Sequence, residues 1–204
     1  CTSLLVSAGA SSEVLESLAT GSLRFALALD PTLERPARLG EQAVGWDTRG
    51  VDAVLALDPA SHTLIALRPG EAALDSVDLT RELRPVAPQA VRVDIGDLGG
   101  PLDPAALDRW LALTLAALSA DLVGLMDAAL EAAVSHVSSR EQFGVPVGTF
   151  QAVQHLASEA KVSAEAAHGL ACYAGWAIDA LDLEQALLAA RTAKAYCSER
   201  AREV

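Results

Sequence analysis

Apolar positions follow two different rhythms along the chain, and the change falls near Pro101. Upstream of it, short alternating runs are broken by glycine and proline. They predict strands over residues 23–29, 51–57, 63–67, 76–79 and 90–95. Asp58-Pro59 and Arg68-Pro69-Gly70 punctuate these runs as turns. Ahead of them, residues 12–18 predict a helix. Ser11 or Ser12 caps it, a glutamate follows, and Gly21 ends it.

Downstream the period lengthens to that of helices. Asp103-Pro104 is a helix start, with proline at the first helical position. Leu111, Leu115, Leu118, Leu122, Leu125, Ala129 and Ala132 then recur at spacings of four and three, one face of a long helix that ends near Arg140. A second helix carries Phe150, Val153, Ala157, Ala160, Ala164, Ala167, Ala171, Ala174 and Ile178 on one face. A third, from about Leu183, carries Ala186, Ala190, Ala193, Cys197, Ala201 and Val204. Seams made of alanine let partner helices approach closely. Long helices joined by short turns predict an antiparallel bundle, with a fourth helix lying beyond Val204 or supplied by a partner chain. The expected fold class is therefore α+β, mainly α: a small β domain over 21–100, then a helical bundle over 101–204.

Composition fits a packed core, with 51% of the 204 residues hydrophobic and few aromatics. A net charge of −12 repels phosphate backbones, so nucleic acid is not the expected partner. The apolar run from Leu111 to Val134 contains Asp121, Asp127 and Glu131, which argues against a membrane span. No signal peptide opens the sequence, and its first residue, Cys1, implies trimming at the start. Cys1, Cys172 and Cys197 form no C-x-x-C pair or metal spacing, so free thiols in a reducing cytoplasm are expected.

Familiar catalytic patterns are missing: the chain has no G-x-G-x-x-G, no Walker loop and no G-x-S-x-G. Its histidines are His62, His136, His155 and His168. Glu165-Ala166-Ala167-His168 is one E-x-x-H, whereas a di-iron bundle needs two such motifs and two further glutamates. No metal ligands are assigned. The turn between the first two long helices is richer, running from Ser139-Arg140-Glu141-Gln142-Phe143-Gly144 to Thr149-Phe150-Gln151. On the residues alone, two readings stand. Arg140 caps the negative end of a helix dipole and Phe143 plugs a core; or the arginine fork grips a phosphate or pyrophosphate while the Gln151 amide bonds a ribose or phosphate.

This stretch resembles the R-x-x-F-G-x-x-x-x-x-x-Q segment of the acyl-CoA dehydrogenase family. The resemblance extends through Leu122-Val123-Gly124-Leu125 and Ala174-Gly175-Trp176 and covers roughly residues 107–204. It implies a C-terminal bundle of acyl-CoA dehydrogenase type, a shortened middle β domain, and residues 1–20 as a remnant of the N-terminal helical region. It also implies that Arg140, Phe143 and Gln151, with Gln142 a weaker candidate, contact FAD bound mainly by a neighbouring subunit. The implied reaction is α,β-desaturation of an acyl-CoA, in which a glutamate takes the α-proton and flavin accepts the hydride. The implied partners are a homologous subunit, in a dimer or tetramer of like or unlike chains, and electron-transfer flavoprotein.

The chain departs from the family pattern at the base. The family places its glutamate either after a later Gly-Gly segment, outside these residues, or on the first long bundle helix, where this chain has Thr114 and Leu115. Asp108 and Arg109 lie about two turns too early. Leu29-Asp30-Pro31 is a faint echo of the family's T-E-P flavin loop, and Gly45-Trp46-Asp47-Thr48 has a Trp but resembles the strand and turn neighbouring the family's K-x-W-I-T strand instead. No catalytic residue is therefore assigned. The expectation is a subunit without its own base, of the kind that some bacterial steroid-degrading members pair with a catalytic partner. A subunit that binds no flavin, and an autonomous enzyme with its base past Val204, are the alternatives.

Overall fold

A computed structural model describes residues 1–32, 35–75 and 78–204. They form two compact units, Cys1–Leu107 and Asp108–Val204.

The first unit opens with α1 (Thr2–Ala8) and α2 (Ser12–Thr20). Ser11 is the cap of α2, its side chain accepting from the Val14 N–H, and Gly21 ends the helix at a φ of 72°. Five strands follow: β1 (Phe25–Leu29), β2 (Ala43–Trp46), β3 (Ala53–Leu57), β4 (Leu64–Leu67) and β5 (Leu83–Val86). They make one sheet in the order β4-β3-β1-β2-β5, with only β1 and β3 parallel. Every residue of β3 and β4 is buried. The core beneath the sheet joins Ala28, Val54, Ala56, Ile65, Leu67 and Val86.

Three predicted strands match β1, β3 and β4 with trimmed ends. The expected strand at 76–79 falls partly outside the described residues, and Asp78 and Leu79 lie in a coil and turn. The expected strand at 90–95 meets β4 only at a single bridge, Leu67 to Arg92. Two strands escaped the pattern for physical reasons. In β2, Gly45 interrupts the alternation because a Cβ there would lie 2.7 Å from the Thr48 methyl. In β5, Pro85 looks like a breaker, but β5 is the outer strand, where a missing N–H is tolerated. Thr2–Ala8 also escaped, being too short to show a period.

In the turn after β3, the Asp58 carboxylate accepts from the Ala60 and Ser61 N–H groups at 2.9 and 3.3 Å and pairs with Arg92 at 2.5 Å. These donors, the Ala60 N–H foremost, hold its pKa below the ordinary carboxylate value.

The second unit holds α3 (Pro104–Ser139), α4 (Gln151–Ala180) and α5 (Leu183–Arg200). By length and hydropathy α3 is the one helix among the described residues that could cross a bilayer. Asp182 caps α5, accepting from the Gln185 N–H. The seams of α4 and α5 bury the predicted rows, Ala164, Ala167, Ala171 and Ala174 on one and Ala186, Ala190, Ala193 and Cys197 on the other. On α3 the buried row is Ala112, Ala116, Ser119, Val123, Met126 and Leu130, one residue later at each turn than the leucine row. Leu115 and Leu122 are half-buried, and Leu125 is 60% exposed. The reason is steric: Ala112 and Ala116 meet Ala174, Ala190 and Ala193 in one cluster, a space leucines would overfill. Ser119 is fully buried, but its hydroxyl donates to the Leu115 carbonyl at 2.7 Å. Burial pushes the Cys197 thiol pKa up, and all three cysteines are free.

Two outcomes follow from this packing. Ala174→Leu should cost about 1–3 kcal/mol in denaturant unfolding, as overpacked cores do. Ala152→Leu, on the exposed side of α4, should stay within about 0.5 kcal/mol. In acid the depressed Asp58 pKa gives stability that is full above about pH 3.9 and is lost as pH falls through the lower folded value. An Asp58→Asn variant should therefore show a shallower acid limb in a stability-against-pH titration.

Candidate functional site

The turn joining α3 to α4 is built by hydrogen bonds that leave its side chains outward. Helix α3 stops at Ser139, where the Arg140 N–H still donates to the His136 carbonyl at 2.9 Å. A short hairpin follows, β6 (Glu141–Gln142) against β7 (Val145–Pro146), with Gln142 opposite Val145. The Val147 N–H donates back to the Arg140 carbonyl at 2.8 Å, closing the loop. A 3-10 turn over Val147–Thr149 feeds α4, and the Thr149 hydroxyl donates to the Pro146 carbonyl at 2.7 Å. Gly148 lets this turn press on α3, since a Cβ there would lie 3.0 Å from the Val137 carbonyl oxygen.

The hairpin tip is Phe143-Gly144, with φ of 56° and 80°. A left-handed φ costs a residue with a Cβ about 1–2 kcal/mol. Phe143 bears it while 94% exposed, so it plugs no core. Its only ring contact among the described residues is edge-on to Phe150, with centroids 6.3 Å apart and planes at 79°. A strained backbone that holds an apolar ring in water is an arrangement found at functional sites.

Around this ring the polar groups are arranged unequally. The Arg140 side chain is exposed and forms no hydrogen bond or ion pair among the described residues. Gln142 turns its amide onto the Glu141 carbonyl at 2.8 Å. The Gln151 amide nitrogen lies 3.4 Å from His155 Nε2, one helical turn along α4. Phe150 and His155 were not among the predicted site residues. Their signal was their place flanking the turn, at the mouth of α4. The four predicted residues thus share one turn, which presents an unpaired guanidinium, two amides and an outward ring. Such a set can take an anion with a planar group beside it.

Other candidates resolve as surface features. Glu165 of the E-x-x-H is paired with Lys161 at 2.6 Å, and that hydrogen bond lowers its pKa. Among the described residues no group of three His, Cys, Asp or Glu could hold a metal. The Thr114 hydroxyl donates to the Trp110 carbonyl at 2.9 Å, and Leu115 is half-buried, so neither position offers a base.

Residues 106–204 match the family described as acyl-CoA dehydrogenase, C-terminal domain. Acyl-CoA dehydrogenase IpdE2 of Mycobacterium tuberculosis is 27% identical over 182 residues, which are 84% of this chain and 48% of that protein. Glutaryl-CoA dehydrogenase of Desulfococcus multivorans is 38% identical over 88 residues, 40% of this chain and 23% of that protein. The chain thus spans at most about half of these relatives. Among solved structures, an acyl-CoA dehydrogenase-like protein of Mycobacterium abscessus superposes at a TM-score of 0.76 and 20% identity, over 99% of this chain and 60% of that one. The FAD complex of PigA does so at 0.69 and 20%, over 99% and 62%. The ChsE4-ChsE5 complex of Mycobacterium tuberculosis does so at 0.66 and 20%, over 91% and 55%. The bundle is therefore an acyl-CoA dehydrogenase C-terminal domain. The chain as a whole is similar to acyl-CoA dehydrogenases in sequence and in fold.

Phe143 offers a test of the tip. Phe143→Asn should leave the unfolding midpoint unchanged or raise it, because asparagine tolerates a left-handed φ and the ring buries little. A core phenylalanine cut back to a small residue would instead cost about 3–5 kcal/mol. A loss of that size in denaturant unfolding would show that the ring is structural.

Proposed function

We propose that this chain is a subunit of an FAD-dependent acyl-CoA dehydrogenase, acting with a homologous partner subunit in α,β-desaturation of an acyl-CoA thioester. The reading rests on one observation: an arginine unpaired among the described residues, beside an exposed phenylalanine held at a left-handed φ. The residues fit a dinucleotide lying across a subunit boundary. Arg140 would bind the pyrophosphate with its guanidinium fork. Phe143 would cover a flat face of the nucleotide and exclude water from it, and Gln151 and Gln142 would orient polar edges once their present bonds are exchanged. Bound flavin would supply the hydride acceptor for the β-hydrogen.

The α-proton needs a carboxylate base. Thr114 and Leu115 cannot act as one, so in this reading the base comes from the partner subunit, or else from residues past Val204. In this reading the chain is a positioning subunit. It works in the cytoplasm, with reducing equivalents passing to electron-transfer flavoprotein, in the breakdown of lipid or steroid side chains. The ChsE4-ChsE5 complex, a structural neighbour, is an assembly of two differently named chains, which is consistent with a hetero-oligomer. A second reading, a structural bundle subunit without flavin, is favoured by the engagement of both glutamine amides within the chain itself.

Co-expression with a homologous subunit, followed by the absorbance spectrum of the purified complex, separates the two. Bound flavin is expected, and Arg140→Ala should weaken its retention roughly 10- to 100-fold, since a hydrogen bond to a charged group is worth about 1.5–3 kcal/mol. A complex with no flavin, or one whose flavin content ignores Arg140→Ala, overturns the first reading.

A further inference from the structure

Phe150 breaks a local rule in the same turn where Phe143 breaks one. It is the N-cap of α4, with φ of −74° and ψ of 130°. That position favours serine, threonine, aspartate or asparagine, whose side chains accept from the first free N–H groups of the helix. A phenyl ring accepts none of them, so α4 starts without a side-chain cap. Burial does not account for the ring either, since Phe150 is 39% exposed. What it meets is Phe143, and their 6.3 Å separation and 79° angle lie in the range that edge-to-face rings prefer. Two residues that each forgo local stability, and that touch each other, mark a place where function sets the residue.

The two rings are held unequally. The Phe150 N–H donates to the Val147 carbonyl at 3.2 Å. Its carbonyl accepts from the Val153 and Gln154 N–H groups at 3.0 and 3.1 Å, so its backbone is fixed at the mouth of α4. Phe143 stands at the hairpin tip, 94% exposed, with Phe150 as its ring contact.

We infer that Phe150 is a positioning residue for the flavin: its ring holds the Phe143 ring in one plane, ready to meet the flat face of the nucleotide. This role rests on the flavin-binding reading above. A side chain ordered before binding does not have to be ordered during it, which strengthens the complex. An edge-to-face pair is worth a factor of about 2 to 10 in an equilibrium constant, and that sets the size of the effect.

The test uses the full chain in complex with a homologous subunit, and reads the dissociation constant for FAD beside the unfolding midpoint of the chain. Phe150→Asn supplies the missing cap, so the midpoint should hold or rise, while FAD should bind about 2- to 10-fold more weakly. Phe150→Tyr keeps the ring and should retain FAD as the unaltered chain does. In a Phe143→Leu background Phe150→Asn should have no further effect, because the ring it positions is gone. A complex without flavin removes the flavin-binding reading and the positioning role together. Bound flavin that ignores Phe150→Asn, that Phe150→Tyr fails to retain, or that Phe150→Asn weakens equally in both backgrounds overturns the positioning role alone.

Discussion

The bundle depends on how closely α4 and α5 approach one another. Ala167, Ala174, Ala190 and Ala193 are fully buried, and a methyl is the largest group the seam accepts without strain. Small side chains fill little volume each, so the contact is stabilised by backbone proximity and by many weak dispersion contacts. The Cys197 thiol, 3.8 Å from the Ala167 carbonyl, belongs to the same economy of space. With alanine in the centre, the larger apolar groups cannot lie there. Leu125, Leu156, Leu188, Tyr173 and Trp176 are all more than half exposed or nearly so.

That constraint also holds the α3–α4 turn. The antiparallel seam fixes where α3 ends and α4 begins, and Gly148 lets the connecting chain press on Val137. The residues between are left a hairpin too short to relax, and Phe143 takes the left-handed conformation at its tip. The left-handed φ at Phe143 is thus held within a hairpin whose two ends are fixed by α3 and α4. A tip held this way is pre-organised: the ring and the neighbouring guanidinium lose little further freedom on meeting a ligand.

Much of this was legible in the residues, and the failures have causes. The alanine rows of α4 and α5 were readable because alanine recurs on one face at spacings of three and four. On α3 two adjacent rows are both apolar, one of leucine and one of alanine, valine and methionine. Periodicity gives the period but not which row turns inward; only the width of the seam decides that. Strand β5 was hidden by Pro85 and β2 by Gly45, since local chemistry gives no sign of which strand is outermost or where a threonine methyl will crowd. At the turn, the motif's residues fall together in one short connection. The exposure of Phe143 was unreadable, because a phenylalanine in a turn is equally consistent with a plug, and Phe150 and His155 carried no signal apart from their distance along the chain.

The two faces of α4 show why a bundle of this composition suits a subunit better than a solitary domain. A core of alanines buries little apolar area per residue, so the bundle gains less from its own interior than a leucine core of equal length would. The apolar area it does possess stands outside, on Val162, Tyr173 and Trp176, and along the leucines of α3. Covering those groups, with residues past Val204 or with a surface from another chain, recovers stabilisation that the interior cannot supply. Assembly is then coupled to stability rather than added to a finished fold.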